Sequence, residues 1–146
     1  MRGATKLVVC GALLLLASCQ KRVPDFTLTA PSPDGRHKAF LRGFEGRGTI
    51  EGFLLLSFND SSEEPAQFRY IKNGRVGWVA PRTLVIVADE LDFDRVASSY
   101  FPDGTVESEI RVIVCARENL DCSALAERLD RVPNEVRIAR FRERWY

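Results

Sequence analysis

The sequence is poor in histidine, which many catalytic and metal sites use, and it has no excess of either charge. Its 146 residues include one histidine, and 21 Lys and Arg balance 20 Asp and Glu for a net charge of +1. This balance gives no support for a nucleic-acid partner. A Ser-His-Asp or Cys-His arrangement would have to use His37, which we interpret as a solvent-facing residue at the start of a strand. No spacing singles out a pair of carboxylates, so we predict no catalytic residues, no enzyme activity and no cofactor.

The hydrophobic run near the N-terminus is too short to cross a bilayer. Leu7–Ala17 are eleven residues without a charge, whereas a transmembrane helix needs about 20. Arg2 and Lys6 precede the run, which is the order of a positive region and an apolar region in a secretory signal peptide. We therefore predict that the chain is exported.

The apolar run ends at Leu16-Ala17-Ser18-Cys19, a large aliphatic residue and two small ones before a cysteine. This segment resembles the lipobox of bacterial lipoproteins. The resemblance implies cleavage between Ser18 and Cys19 and acylation of Cys19 on its sulfur and its amine, which would anchor the chain firmly because two lipid signals already suffice. The alternative is an ordinary cysteine behind an ordinary secretory signal.

The lipobox divides the chain into a signal peptide of residues 1–18, a lipidated tether of residues 19–24 and a single β-rich domain of residues 25–146. Because the tether is short, we expect the domain to lie close to the bilayer. Gln20 stands where inner-membrane lipoproteins of enteric bacteria carry Asp, which favours the outer membrane. The resemblance thus implies a place in the bacterial cell envelope, anchored through the N-terminal lipid and facing the periplasm.

Hydrophobic periodicity predicts a mainly β domain of the α+β class, a single antiparallel sheet or sandwich with one short helix near the C-terminus. Phe53–Phe58 and Thr83–Ala88 are apolar on both faces and predict central, buried strands. The helix is predicted at Cys122–Val132, with Asp121 as its N-cap and Pro133 at its end. Further strands are predicted at Asp25–Ala30, Arg36–Arg42, Phe68–Ile71, Arg75–Val79 and Val106–Val114, and a strand is favoured over a helix for Glu135–Tyr146.

Turn signals separate these strands. The Asn73-Gly74 pair predicts a hairpin between the strands that flank it. The S-P-D-G run from Ser32 predicts a turn. The order of lipobox, short tether, S-P-D-G turn, strand, Gly-rich loop and strand resembles that of certain small uncharacterised bacterial lipoproteins as far as about Ala88, and this resemblance implies no known activity. Loops are predicted at Gly43–Gly52, Asn59–Pro65 and Asp89–Gly104.

Cys115 and Cys122 are the two cysteines of the predicted domain. An exported protein can form disulfides, and the six residues between these cysteines can close a turn from a strand end to a helix start. We predict a disulfide between them, with two free buried thiols as the alternative. A redox-active pair is disfavoured because the spacing is not C-x-x-C, and zinc lacks further ligands.

An acidic cluster in the predicted loop after Ala88 raises the possibility of a calcium site. It lacks the Gly at the sixth position and the Glu at the twelfth that a helix-loop-helix calcium motif requires. We therefore interpret it as a solvated loop and predict no metal site. The cluster consists of Asp89, Glu90, Asp92 and Asp94.

The C-terminal stretch Arg128–Tyr146 carries six Arg against three acids, with Phe141, Trp145 and Tyr146 interleaved. Arg and aromatic residues are frequent anchors at protein interfaces, so this stretch is a candidate contact surface for an envelope protein, for acidic headgroups or for an acidic polymer. An ordinary charged terminal strand is the favoured alternative. The function predicted overall is that of a lipid-anchored lipoprotein with a non-catalytic, protein-contact or structural domain. Two alternatives are a small-ligand or inhibitor-type binding module, with a concave patch between the Gly43–Gly52 loop and the acidic loop, and a hydrolase.

Overall fold

The computed structural model describes residues 22–47 and 51–142. Within them the chain is mainly β and has one short helix near the C-terminus, which confirms the predicted class. Strand pairs are antiparallel except for β5 and β8, which run parallel. The elements are β1 (Phe26–Pro31), β2 (Lys38–Phe44), β3 (Phe53–Phe58), β4 (Ala66–Ala80), β5 (Thr83–Ala88), β6 (Glu90–Val96), β7 (Ser99–Tyr100), β8 (Ile110–Ala116), α1 (Ser123–Leu129) and β9 (Val136–Phe141).

The 15-residue strand β4 organises the sheet because both of its sides are shared by two strands. Its first half pairs with β3 on one side and β6 on the other, and its second half pairs with β9 and β5. The remaining strands extend from these in the orders β3-β2-β1 and β5-β8-β7. Apolar residues of β2 and β3 pack in one core with those of β4, β5 and β8, so the sheet folds over on itself.

The hairpin predicted at Asn73-Gly74 is wrong, because β4 runs straight through this pair. Asn73 does adopt a left-handed backbone, with φ of 49°, but it lies where β4 exchanges its neighbours rather than in a turn. Gly74 is buried, and a Cβ there would lie 2.5 Å from the Ile71 side chain. The glycine therefore serves close packing. The hairpin turn lies instead at Pro81 and Arg82, between β4 and β5.

The two faces of β5 are buried in two different cores. Leu84, Ile86 and Ala88 face the core inside the folded sheet. Val85 and Val87 face the opposite way and pack beneath α1. Burial on both faces explains why this strand has no polar face, and the prediction of a central, buried strand is confirmed.

Aromatic residues fill the centre of the inner core. The Trp78 indole N–H donates to the Ala30 carbonyl at 2.8 Å, which ties β4 to β1. The Phe58 ring lies 5.7 Å from that of Trp78 and 5.4 Å from that of Tyr100. The indole hydrogen bond joins β4 to β1, and the Phe58–Tyr100 contact joins β3 to β7; neither of these two strand pairs is adjacent in the sheet.

The helix α1 is shorter than predicted at both ends. Cys122 occupies the N-cap position, and the Asp121 carboxylate accepts from the Ser123 backbone N–H at 2.9 Å and from its hydroxyl at 2.6 Å. Leu129 packs over Gly77, where a Cβ would lie 2.9 Å from the leucine side chain. The absence of a side chain at Gly77 lets the helix sit close to β4.

Two other segments differ from the prediction. The predicted loop Asp89–Gly104 contains β6 and β7. The carboxylates on β6 can lie in a strand because they form salt bridges with basic residues on β4. The strand predicted to start at Val106 starts at Ile110, since Val106–Ser108 form a 3-10 turn. The favoured strand in the C-terminal segment is present as β9, and residues 143–146 lie outside the described part.

Candidate functional site

The predicted lipidation and cleavage residues, Ser18 and Cys19, lie outside the described residues. Arg22, three positions after Cys19, is the first residue described. Its guanidinium donates to the Glu45 carbonyl and lies 5.6 Å from the centre of the Phe44 ring and 5.9 Å from that of Phe53. The chain therefore enters the domain across the outer face of β2 and β3, the face turned away from the inner core.

This outer face forms a groove of about 630 Å³. The strands supply it by their alternation: every second residue of β2 and β3 faces the core, and the residues between face outward. We name it the tether groove and define it by Arg22, Arg42, Phe44, Phe53 and Leu55, which line it. Phe44 and Leu55 are buried and Phe53 is half-buried, so the floor is apolar and the two arginines supply its charge.

Arg42 lies flat on the groove floor. One of its N–H groups donates to the buried Ser57 hydroxyl at 2.7 Å, and its guanidinium carbon lies 5.1 Å from the centre of the Phe40 ring. Asp60 and Glu64 form an acidic rim at the loop that follows β3. The groove thus presents aromatic and guanidinium surface beside carboxylates.

The sequence interpretation missed this groove. β3 was predicted as buried on both faces, and five of its six residues are buried; its outward Phe53, at the strand end, is half-buried. The available signal was the alternation of aromatic and basic residues along β2, where Phe40, Arg42 and Phe44 share a face. The patch expected between the Gly43–Gly52 loop and the acidic cluster takes another form among the described residues, since the groove rim is made by Asp60 and Glu64.

His37 is half-buried rather than fully solvent-facing, and its ring stacks on Trp78 with centroids 6.2 Å apart. Ser32 and Asp34 lie near it, but they are not connected as a catalytic triad. The Ser32 hydroxyl donates to the Asp34 carboxylate at 2.7 Å and accepts the backbone N–H of His37 at 3.0 Å. The hydrogen bond from Ser32 lowers the pKa of Asp34. These bonds stabilise the predicted S-P-D-G turn, and they connect Ser32 to the backbone of His37 rather than to its ring.

The acidic cluster lies on and beside β6 and is paired with basic residues. Arg69 bonds Asp92 at 3.1 Å and Asp94 at 3.2 Å across the strands. Lys72 bonds Glu90 at 2.7 Å, which raises the pKa of Lys72. Within residues 22–47 and 51–142, no group of three or more His, Cys, Asp or Glu side chains is placed to hold a metal ion.

The predicted disulfide is present: Cys115 at the end of β8 is bonded to Cys122 at the start of α1. Both cysteines are buried among Val85, Val87 and Leu129. The bond therefore pins the helix over the outer side of β5.

Arg75 holds the other end of α1, a role that the sequence did not indicate. It bonds Asp130 and Glu135 at 2.6 Å each and donates to the Ala126 carbonyl at 3.4 Å. Its hydrogen bonds lower the pKa of Glu135. This network joins β4, α1 and the start of β9, and it holds these three elements together.

The arginines of the C-terminal stretch are distributed over separate surfaces. Arg131 pairs with Glu127 on α1 at 3.2 Å, while Arg142 donates to the Gly52 carbonyl at 2.6 Å beside the start of β3. Trp145 and Tyr146 lie outside the described residues.

Comparison with protein-family models, with curated proteins and with solved structures finds no match to this chain. In the described part of the chain, no helix has the length and apolar character needed to cross a membrane. Function is therefore inferred from the groove, the disulfide and the strand edges.

Proposed function

We propose that this chain is a lipid-anchored lipoprotein of the bacterial envelope whose β domain acts without catalysis, by protein contact through the tether groove. The single observation that carries the proposal is the position of Arg22, which belongs both to the segment that follows Cys19 and to the groove lining. Anchor and contact surface are thus joined by three residues.

That short connection sets the distance between the groove and the bilayer. Three extended residues span at most about 11 Å, so lipidation at Cys19 would hold the groove at the membrane surface. A partner reached from this position is an envelope protein with a segment exposed close to the bilayer. A freely diffusing partner would need no such placement.

The chemistry of the groove suits a protein segment. Arg and aromatic residues dominate the energetic centres of protein interfaces, especially where a buried floor excludes water. Phe44 and Leu55 supply that floor, and Arg22 and Arg42 offer planar donors to carboxylates or backbone carbonyls. We infer a partner segment with one apolar side chain for the floor and an acidic or carbonyl group for the arginines.

The disulfide supports an exported location. Disulfides persist in oxidising compartments such as the periplasm and are rare in the cytosol. The Cys115–Cys122 bond is buried and fixes the helix, as structural disulfides of exported domains do.

The anchor is tested by the mass of native protein purified from the envelope. The expected mature chain begins at Cys19 and carries a glyceride and acyl adduct, and it partitions into detergent. The Cys19→Ala variant should stay uncleaved or lose that partitioning. An unmodified N-terminus with unchanged partitioning would contradict the anchor.

The contact surface is tested separately by photo-crosslinking in intact cells. A benzoylphenylalanine at Phe53, in the groove, is compared with one at the exposed Val106, which lines a different cavity. We expect a discrete crosslinked protein from position 53 only, and loss of that product when Arg42→Glu is added. Equal products from both positions, or a product that survives Arg42→Glu, would refute the groove as the contact site.

A further inference from the structure

Within the described residues, four strands pair on only one side, and they differ in how their free edges are protected. These are β1, β6, β7 and β9. Natural proteins protect free edges with charges or by keeping them very short, because an unprotected edge pairs with other chains. β7 has two residues, β6 carries four charged residues and β9 carries two arginines. β1, with the sequence FTLTAP, has six residues and no charge.

The free edge of β1 is formed by Thr27, Thr29 and, at its C-terminal end, Pro31, which has no N–H to donate. The Ser32 N–H donates to the His37 carbonyl at 2.8 Å. Since hydrogen-bonded positions in an antiparallel pair recur every second residue, Leu28 and Ala30 bond to β2. The main-chain groups of Thr27 and Thr29 therefore point away from β2, and both threonine side chains are exposed.

We propose that β1 pairs with β1 of a second copy of this chain, antiparallel and centred on Leu28. In this register Thr27 of one copy lies opposite Thr29 of the other, and the two symmetric pairs exchange four main-chain hydrogen bonds. The contact is isologous, as a twofold dimer requires. The inference goes beyond the proposed contact function and does not depend on the lipid.

The side chains of β1 suit self-pairing in this register. The bulky Phe26 lies opposite the small Ala30, Leu28 lies opposite itself, and the threonines meet each other across the strands. Cross-strand threonine pairs are favourable, and no like charges oppose one another. The Phe26 ring is already held 6.0 Å from that of Phe141, with the rings at 67°, so it is ordered before pairing.

The register is tested with two variants of the chain that each carry one added cysteine and a different tag. Residues 27 and 29 of opposite copies have Cα atoms about 5.5 Å apart, within the range for a disulfide, whereas two residues 27 lie diagonally at about 7–8 Å. Co-expressed Thr27→Cys and Thr29→Cys chains should therefore form a mixed-tag dimer on mild oxidation in native envelopes. Either variant expressed alone should form at most a trace of a disulfide-linked homodimer.

Three outcomes of this experiment have different meanings. No mixed-tag product, or equal products from the single variants, overturns the proposed pairing. A link from position 27 or 29 to a different protein also overturns it, in favour of strand addition by another partner. An oxidised dimer of the wild-type chain would reveal a free Cys19 thiol, which counts against the lipidation in the proposed function. The yield of the mixed-tag dimer would still decide whether β1 pairs in the proposed register.

Sedimentation of the purified full mature chain in detergent gives a second measurement. The wild type should have the mass of a dimer, and Thr27→Lys/Thr29→Lys, which places lysines opposite each other twice, should have the mass of a monomer. The matched control Thr27→Ser/Thr29→Ser should remain a dimer. A monomeric wild type would overturn the proposal.

Discussion

Reduction of the Cys115–Cys122 bond is expected to lower the free energy of unfolding by about 2.5 kcal/mol at 25 °C. The two cysteines are 7 positions apart, and the entropy of closing a loop of that length in the unfolded chain gives this value. With a urea dependence of about 1–3 kcal/mol per M, the unfolding midpoint should fall by about 1–2.5 M. The change can be followed by the fluorescence of Trp78, which is buried in the folded protein.

Comparison with the Cys115→Ala/Cys122→Ala variant separates the bond from the packing of its sulfur atoms. Reduction keeps both sulfurs between Val85 and Val87, whereas the variant removes them and should cost about 1 kcal/mol more. As a control, the reductant should leave the midpoint of the variant unchanged.

Two results would refute this reasoning. One is a wild-type midpoint that does not respond to reductant. The other is native protein that, unfolded without reductant, reacts with alkylating reagent at Cys115 and Cys122, since bonded cysteines cannot react.

Two further predictions concern packing and charge. Glu135→Gln should lower the free energy of unfolding by about 2 kcal/mol at pH 7, because it removes a charge-assisted bond to Arg75. Since the pKa of Glu135 is lowered in the folded protein, this stabilisation is present above its ordinary pKa of 4.5 and is lost as the pH falls through the folded value. The urea midpoints of the wild type and of the variant should therefore converge at low pH. A difference that stays constant with pH would contradict the role given to Glu135. Gly43→Ala should lower the free energy of unfolding by about 1–3 kcal/mol, because its Cβ would lie 2.1 Å from the Phe26 ring and push it from Phe141; an unchanged thermal midpoint would show that the ring moves freely.

The sequence predicted well where one physical cause determines the pattern. The strand Thr83–Ala88 carries apolar residues on both of its faces. One face is covered by the inner core and the other by α1. The Cys115–Cys122 pair was predictable because its short spacing and the predicted export of the chain both favour a disulfide. The helix was found from its apolar spacing, although Cys122, bound in the disulfide, occupies the N-cap position.

Prediction failed where a residue type serves more than one purpose. The Asn73-Gly74 pair is favourable in a tight turn, but here Gly74 is needed for close packing against Ile71. The charges of Glu90–Val96 were read as a loop because the cross-strand partner Arg69 is distant in sequence. The tether groove was not predicted for the same reason, since its lining comes from Arg22 and from the outward residues of two strands.

The tether groove and the free edge of β1 lie on one continuous sheet surface, and this connects the two proposals. Thr27 is the register partner of Arg42, and Thr29 is that of Phe40, so the exposed threonines border the groove residues of β2. Pairing of two β1 strands would therefore produce a six-stranded surface with one groove on each side of the twofold axis. If each copy is anchored at Cys19 as proposed, two weak groove contacts with one partner array would bind more tightly than either contact alone, because the second contact becomes intramolecular. On this basis the uncharged edge of β1 has a functional reason to lack the protection that β6 and β9 carry.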